Sequence, residues 1–265
     1  SQIARFQGSA SLGLEIVSLN FLYGNVLVVQ TGYYSERLKT LCESSKRRLE
    51  QIKNVQSVNW NELNNVEEKF DWVFACPTET SIGLKVPITD LRKLADQVGA
   101  KLALDATASI GLEGGHELAD VAVFSSCKGL FGLTGAAFIV FNDGPKVEVD
   151  SFYLDVRSHL EKKMTGPYHA IASLWNVLKD HSNFREGVVI NKDKFLKKCS
   201  KDLVYDSNHQ PLLCTFVKCN VTSSDQRAVL YKPRGIQSGS VVCHLGEAHL
   251  GSKAKGQILE VLNYD

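Results

Sequence analysis

The chain lacks a charge of one sign, cysteines at ligand spacing and long apolar runs, and each lack closes off a class of function. Thirty Lys plus Arg stand against 29 Asp plus Glu in 265 residues, a formal charge of +1. Such a balance gives no electrostatic footprint for nucleic acid or an anionic membrane surface. The longer apolar stretches, such as 135–141, fall far short of the ~20 residues that span a bilayer. No charged segment followed by an apolar one opens the sequence, so no secretory signal is visible. The cysteines number 7, with no C-x-x-C pair, and the 7 histidines show no H-x-x-x-H spacing. That pattern argues against a disulfide scaffold or a structural zinc site. The expectation is a reduced, soluble, cytoplasmic protein with no nucleic-acid and no membrane partner.

What is present suits a substantial core, since 44% of residues are hydrophobic and 9% aromatic. The length fits about two domains at ~150 residues each, or one large one. Residues 3–141 alternate short apolar runs with longer amphipathic ones. Helices are expected over 12–22, 34–49 and from Pro87 to Gly99, where Leu91, Leu94, Ala95 and Val98 form an apolar stripe. Strands are expected at 25–30, 55–60, 71–75, 101–105, 121–124 and 136–141. Repeated strand–helix alternation argues for an α/β fold with a mostly parallel sheet covered on both faces. The turn cluster Asn142-Asp-Gly-Pro145 marks a change of texture. We therefore expect one domain at 1–150 and, at 151–265, a connector helix leading into a reduced α+β domain. Within that second part, 171–178 reads as helix, 212–221 and 240–245 as strands, and 253–262 as a closing helix.

Polar residues just past the carboxyl ends of strands in an open α/β sheet face a binding crevice. Ser9, Ser11, Thr78 to Ser81, Asp105 and Ser125 to Lys128 all qualify. Asp105 ends a strand run and precedes Ala-Thr-Ala-Ser, as either a local cap or a carboxylate meeting a cation. Lys128 emerges from Val-Phe-Ser-Ser-Cys into a glycine-rich run. That setting suits an amine held in a crevice, where desolvation favours the nucleophilic neutral form. Gly8-Ser9-Ala10-Ser11 lies between a strand and a helix, the arrangement that aims backbone N–H groups at a phosphate. Together these are the parts of a pyridoxal phosphate site: a phosphate cup, an acid for the pyridine nitrogen and a lysine.

The ordered segments 78–88, 102–109 and 125–129, with Phe6-Gln-Gly-Ser-Ala-Ser-Leu-Gly-Leu-Glu15 and Thr31-Gly-Tyr-Tyr-Ser-Glu-Arg37, resemble class V aminotransferases of PLP fold type I. Within that class the sequence is most similar to 2-aminoethylphosphonate–pyruvate transaminases. The resemblance is good over 3–141 and thin afterwards. It implies pyridoxal 5'-phosphate as cofactor, with Ser9, Ala10 and Ser11 at its phosphate and Tyr34 stacked on its ring. Thr80 would bond its phenolic oxygen, Asp105 would keep its pyridine nitrogen protonated, and Lys128 would carry it covalently and shuttle the proton. It also implies a homodimer with shared sites, in which Thr165 and Tyr168 reach the neighbour's phosphate. The implied reaction moves an amino group from a primary amine to a 2-oxo acid such as pyruvate.

Three departures qualify that expectation. Cys127 stands before the lysine, where relatives carry a polar side chain that helps hold the phosphate. The N-terminal arm of the family is not in this sequence. Val241 occupies the place of the arginine that clamps the substrate carboxylate, a bidentate role that valine lacks. Arg227 or Arg234 is a possible substitute, and Arg5, Arg37 and Arg234 are equal candidates for the cation a phosphonate tail requires. A PLP-dependent lyase or decarboxylase, and a non-catalytic binding subunit of the same fold, stay open as alternatives. A serine hydrolase is disfavoured because Ser9-Ala-Ser11-Leu-Gly13 has Ser where a nucleophile elbow needs its first Gly. Gly129, Gly132 and Gly135 do not match a dinucleotide-binding loop, and no P-loop is present.

Overall fold

A computed structural model of the chain describes residues 1–161, 164–226, 228, 230–235, 238–246 and 260–264. Its centre is a seven-stranded sheet made of β1 (Gln2–Gln7), β2 (Gly24–Gln30), β3 (Ile52–Asn59), β4 (Trp72–Ala75), β7 (Lys101–Asp105), β8 (Val121–Ser125) and β9 (Ala136–Phe141). The spatial order is β1-β9-β8-β7-β4-β2-β3. Only β9 runs against the others, pairing antiparallel with β8 and β1. A short hairpin, β5 (Thr78–Glu79) and β6 (Leu84–Lys85), follows β4.

The strand sequences explain why both faces are covered. Along β2, Val26 and Val28 belong to one apolar cluster and Leu27 and Val29 to the other. Strand side chains alternate between faces, so an unbroken apolar run can only be satisfied by packing on both sides. Helices α1 (Ala10–Asn20) and α2 (Tyr33–Leu49) cover the first face, through residues such as Leu14, Val17, Leu38 and Cys42. Helix α3 (Ile88–Val98) covers the second with the expected stripe of Leu91, Leu94, Ala95 and Val98. It stops at Gly99, which adopts φ +72, a left-handed cap that glycine accepts without a Cβ penalty. Helix α1 lies close on the sheet: a Cβ at Gly13 would stand 2.7 Å from Val123 Cγ1. Glycine is what permits that approach.

After β9 the chain forms α4 (Val156–Leu160), α5 (Tyr168–Val177) and α6 (His181–Cys199). Two small antiparallel pairs follow, β10 (Cys214–Val217) with β12 (Ser240–Cys243) and β11 (Val221–Ser223) with β13 (Leu262–Tyr264). The single strand expected over 212–221 is therefore two, separated at Lys218–Asn220, where Lys218 N donates to Asp202 O over 2.8 Å. The closing helix expected over 253–262 lies almost wholly outside the described residues, and its last position, Leu262, is in strand β13. Val241 is buried among Leu213, Cys214, Phe131 and Leu245. No helix among the described residues is long and apolar enough to cross a membrane.

Candidate active site

The carboxyl ends of the parallel strands and the start of α1 enclose a cavity of about 510 Å³, within the usual range for a small-molecule site. Ser9, Ala10, Ser11, Tyr34, Thr80, Asp105, Cys127 and Lys128 all line it, so residues more than a hundred positions apart share one space. Thr165 and Tyr168 do not line it. Both are exposed, Tyr168 by 75%.

Each wall follows from local chain chemistry. The strand-to-helix turn places Ser9 at the N-cap of α1, yet its hydroxyl makes no capping bond. The positive end of the helix is thus presented to the cavity with that hydroxyl beside it, a setting that favours an anion. Asp105 is the last residue of β7 and only 6% exposed. Thr107 donates to its Oδ1 from both the backbone N (3.1 Å) and the side-chain hydroxyl, which fixes the carboxylate's orientation. Cys76, which lines the same cavity, is buried, and burial followed by the charge of Asp105 raises its thiol pKa well above the ordinary value. That thiol is inert at neutral pH.

Lys128 sits just beyond β8 with φ +51, a left-handed conformation that costs a non-glycine residue about 1 kcal/mol or more and is typical of functional positions. The next residue must be glycine, because a Cβ at Gly129 would stand 2.2 Å from Ile110 O. The bend brings Lys128 Nζ to 5.6 Å from the centre of the Tyr34 ring. Cys127 Sγ is 3.3 Å from Ser125 Oγ, so the thiol that stands where a more polar group was expected already has a partner.

Of two further features, the first was given no role from the sequence and the second was one of three unranked cations. Glu79 is fully buried between Thr78 and Thr80. Its carboxylate accepts hydrogen bonds from Tyr34 N (2.9 Å), Ser35 N (3.2 Å), Ser81 N (3.2 Å), the Ser81 hydroxyl and Thr31 Oγ1 (3.4 Å). It therefore caps α2, whose own N-cap is the side-chain-less Gly32, and ties the Tyr34 helix to the β5 loop. A glutamate beside a strand end, paired with a helix start that lacks its own cap, was the available signal. The second feature is Arg37, which lines the cavity, donates from Nη1 to Ser11 Oγ over 3.1 Å and lies 5.2 Å from the Tyr34 ring centre. Of the other candidate arginines, Arg5 is on the exposed side of β1. Arg234 donates from Nη1 to Tyr33 Oη over 2.9 Å. Arg227 lies outside the described residues.

The residues present fit pyridoxal 5'-phosphate. A hydroxyl lining the cavity, Thr78 Oγ1, is buried with no hydrogen-bond partner, a deficit that a ligand oxygen would fill. A lysine amine and a buried carboxylate stand in one cavity with a helix N-terminus, matching the chemistry of an aldehyde, a pyridine nitrogen and a phosphate.

Comparison with known proteins agrees with that fit. A family model described as Aminotransferase class-V matches residues 6–157. The 2-aminoethylphosphonate–pyruvate transaminase of Pseudomonas aeruginosa is 26% identical over 215 residues, which are 73% of this chain and 57% of that protein. A bifunctional phosphonoacetaldehyde hydrolase/aminoethylphosphonate transaminase of Clostridioides difficile is 24% identical over 246 residues, covering 80% of this chain and 38% of that protein. The chain thus spans just over half the length of the first of these curated relatives and less of the second. Among solved structures, a phosphoserine aminotransferase from Cytophaga hutchinsonii matches with a TM-score of 0.77 at 14% identity, over 98% of this chain and 81% of that one. A pyridoxamine–pyruvate aminotransferase from Mesorhizobium loti matches with a TM-score of 0.75 at 17% identity, over 94% and 75%. The fold is the one these enzymes share, and the chain belongs to the class-V aminotransferases, a pyridoxal phosphate-dependent family.

Proposed function

We propose that this chain is an aminotransferase that moves an amino group from a primary amine, best represented by 2-aminoethylphosphonate, to a 2-oxo acid such as pyruvate. The observation that carries this reading is the meeting of Lys128 and Asp105 in one cavity with the N-terminus of α1. Neither charge is expected in a crevice without a partner to bind there. Ser9, Ala10 and Ser11 would hold the cofactor phosphate, Tyr34 would lie against its ring, and Thr78 and Thr80 would supply hydroxyls. When bound, pyridoxal phosphate supplies an electron sink for bond breaking at the substrate carbon that bears the amine.

The chain's own residues do the remainder. Asp105, oriented by Thr107, would hold a proton on the pyridine nitrogen through its negative charge. Lys128 would hold the cofactor through its side-chain amine and, once the substrate amine is bound, would move a proton from the substrate carbon. Glu79 keeps the start of α2, and with it Tyr34, at a fixed height over the cavity floor. We further infer a cytoplasmic homodimer, which the exposure of Thr165 and Tyr168 would suit. We also infer a division into domains near residue 150, which the separate small sheets of the later residues support. A lyase or decarboxylase is the second reading. The burial of Val241 favours it, because that position offers no clamp for a carboxylate and decarboxylation takes no second, 2-oxo acid substrate.

The test is the visible spectrum of the purified chain with pyridoxal phosphate, followed by borohydride reduction and peptide mapping. An absorbance that borohydride abolishes, with the label on Lys128, is the expected result. A label elsewhere or none at all would overturn the assignment.

A further inference from the structure

Two arginines from distant parts of the chain converge on one phenol beside the cavity. Arg37 lies 6.0 Å and Arg234 5.3 Å from the centre of the Tyr33 ring. Neither has a carboxylate partner among the described residues. Two guanidinium groups brought onto one side chain without a counter-ion repel each other, and an anion between them removes that cost. The phenol adds a donor: Arg234 donates to Tyr33 Oη, which leaves the phenolic hydrogen to point at an acceptor. Both cations lower the Tyr33 pKa, Arg234 more than Arg37.

The placement connects this cluster to the chemistry. Arg37 lines the same cavity as Lys128, and Tyr33 adjoins Tyr34, another lining residue. Tyr231, three residues before Arg234, is within hydrogen-bonding range of Thr80 and Tyr34. The segment bearing Arg234 is therefore laid against the cavity wall. Val241 is packed into an apolar cluster and presents nothing to an anion.

We propose that Arg37, Arg234 and the Tyr33 hydroxyl form the recognition site for a doubly charged anionic end of the amino donor. This rests on the aminotransferase reading for the identity of the donor, and it adds the residues and the charge class. The preferred substrate is a small amine whose far end is a phosphonate, ahead of a singly charged sulfonate and well ahead of a neutral amine.

The test uses the pyridoxal phosphate-loaded chain and its Arg234→Gln and Arg234→Lys variants. Arg234 is chosen because Arg37 also touches Ser11. Methylphosphonate, an anion with no amine, is titrated by calorimetry or ³¹P NMR. Loss of a charge-assisted hydrogen bond should weaken it about 10- to 100-fold in Arg234→Gln. Arg234→Lys should fall between, since it keeps the charge without the planar fork. Cofactor absorbance and melting temperature should be unchanged. In single-turnover half-reactions, 2-aminoethylphosphonate should slow in Arg234→Gln by a similar factor, while the neutral 2-aminoethanol keeps its rate. Equal methylphosphonate affinity in wild type and Arg234→Gln, or an equal loss for all amines, would overturn the site. Turnover without any charge preference sinks the site and leaves the aminotransferase reading intact. Weakened methylphosphonate binding in Arg234→Gln with no amine converted by wild type does the reverse.

Discussion

Two sizeable cavities stand out among the described residues, and the larger is the less informative. One of about 1000 Å³ is bounded by residues such as Asn191, Val221, Tyr231, Val242 and His244. The other, half that size, holds Lys128, Asp105 and the open end of α1. In the larger cavity the buried polar groups answer one another: Thr215 Oγ1 lies 2.9 Å from His244 Nε2, and Asn191 Nδ2 donates to His244 O over 3.4 Å. In the smaller one the Thr78 hydroxyl has no protein partner, and Lys128 and the uncapped N-terminus of α1 line the same space. Unmet polar demand, rather than volume, marks the place where a ligand belongs.

Several changes would break or sharpen that contrast. The largest effect is expected at Lys128. Lys128→Ala should lower any turnover by at least ~1000-fold and abolish borohydride labelling, since on the proposed reading it removes both the anchor and the proton carrier. Next, Asp105→Ala should leave cofactor bound but reduce the rate about 100- to 1000-fold, the usual loss when a fixed charge at the reacting group is removed. Single-turnover absorbance would separate the two.

In the larger cavity the expected effects concern stability. Burial, with Lys192 adding to it, depresses the pKa of His244 to about 3. A group held neutral in the fold contributes its full share above its unfolded pKa of ~6.5, and the unfolded chain gains the proton below that. Stability should thus fall as the pH drops from ~6.5 towards 3, by about 2 kcal/mol at pH 5 from this residue alone. Denaturant melts of wild type and His244→Gln across that range would show whether the acid loss is reduced in the variant. The smallest effect is expected at Thr78. Because its hydroxyl lacks a partner, Thr78→Val should leave the melting temperature of the cofactor-free chain within ~1 °C or raise it. Its cost should appear only as a severalfold weaker affinity for pyridoxal phosphate.

The sheet was legible in the sequence because its strands are short apolar runs punctuated by turns. Lys101–Asp105 and Ala136–Phe141 have the bounds expected of them. The placement of Lys128 in the cavity was legible for a related reason: a lysine just after a buried run has few places to go. Helix α6 was not. Its buried positions Gly187, Val188, Asn191, Phe195 and Cys199 follow helical spacing but include glycine and asparagine, which blur the apolar stripe. Arg37 read as one of three equal cations, since nothing local says that a helix will carry it back to Ser11. The role of Glu79 is a tertiary fact as well, for its hydrogen-bond donors at Thr31, Tyr34 and Ser35 lie more than forty residues away.

Strand β1 stands at the edge of the sheet, joined to it only through β9, with Gly8 N bonded to Gly135 O at the end that leads into the proposed phosphate cup. That hydrogen bond links residues more than 120 positions apart, so the cup and the lysine loop meet only when the first and last strands of the sheet join. Contacts of such long sequence separation are slow to form, and an edge strand can open at less cost than global unfolding. The binding site is thereby a late product of folding and an early loss under stress. Amide exchange in β1 should accordingly be faster than in β7, and bound cofactor should slow it.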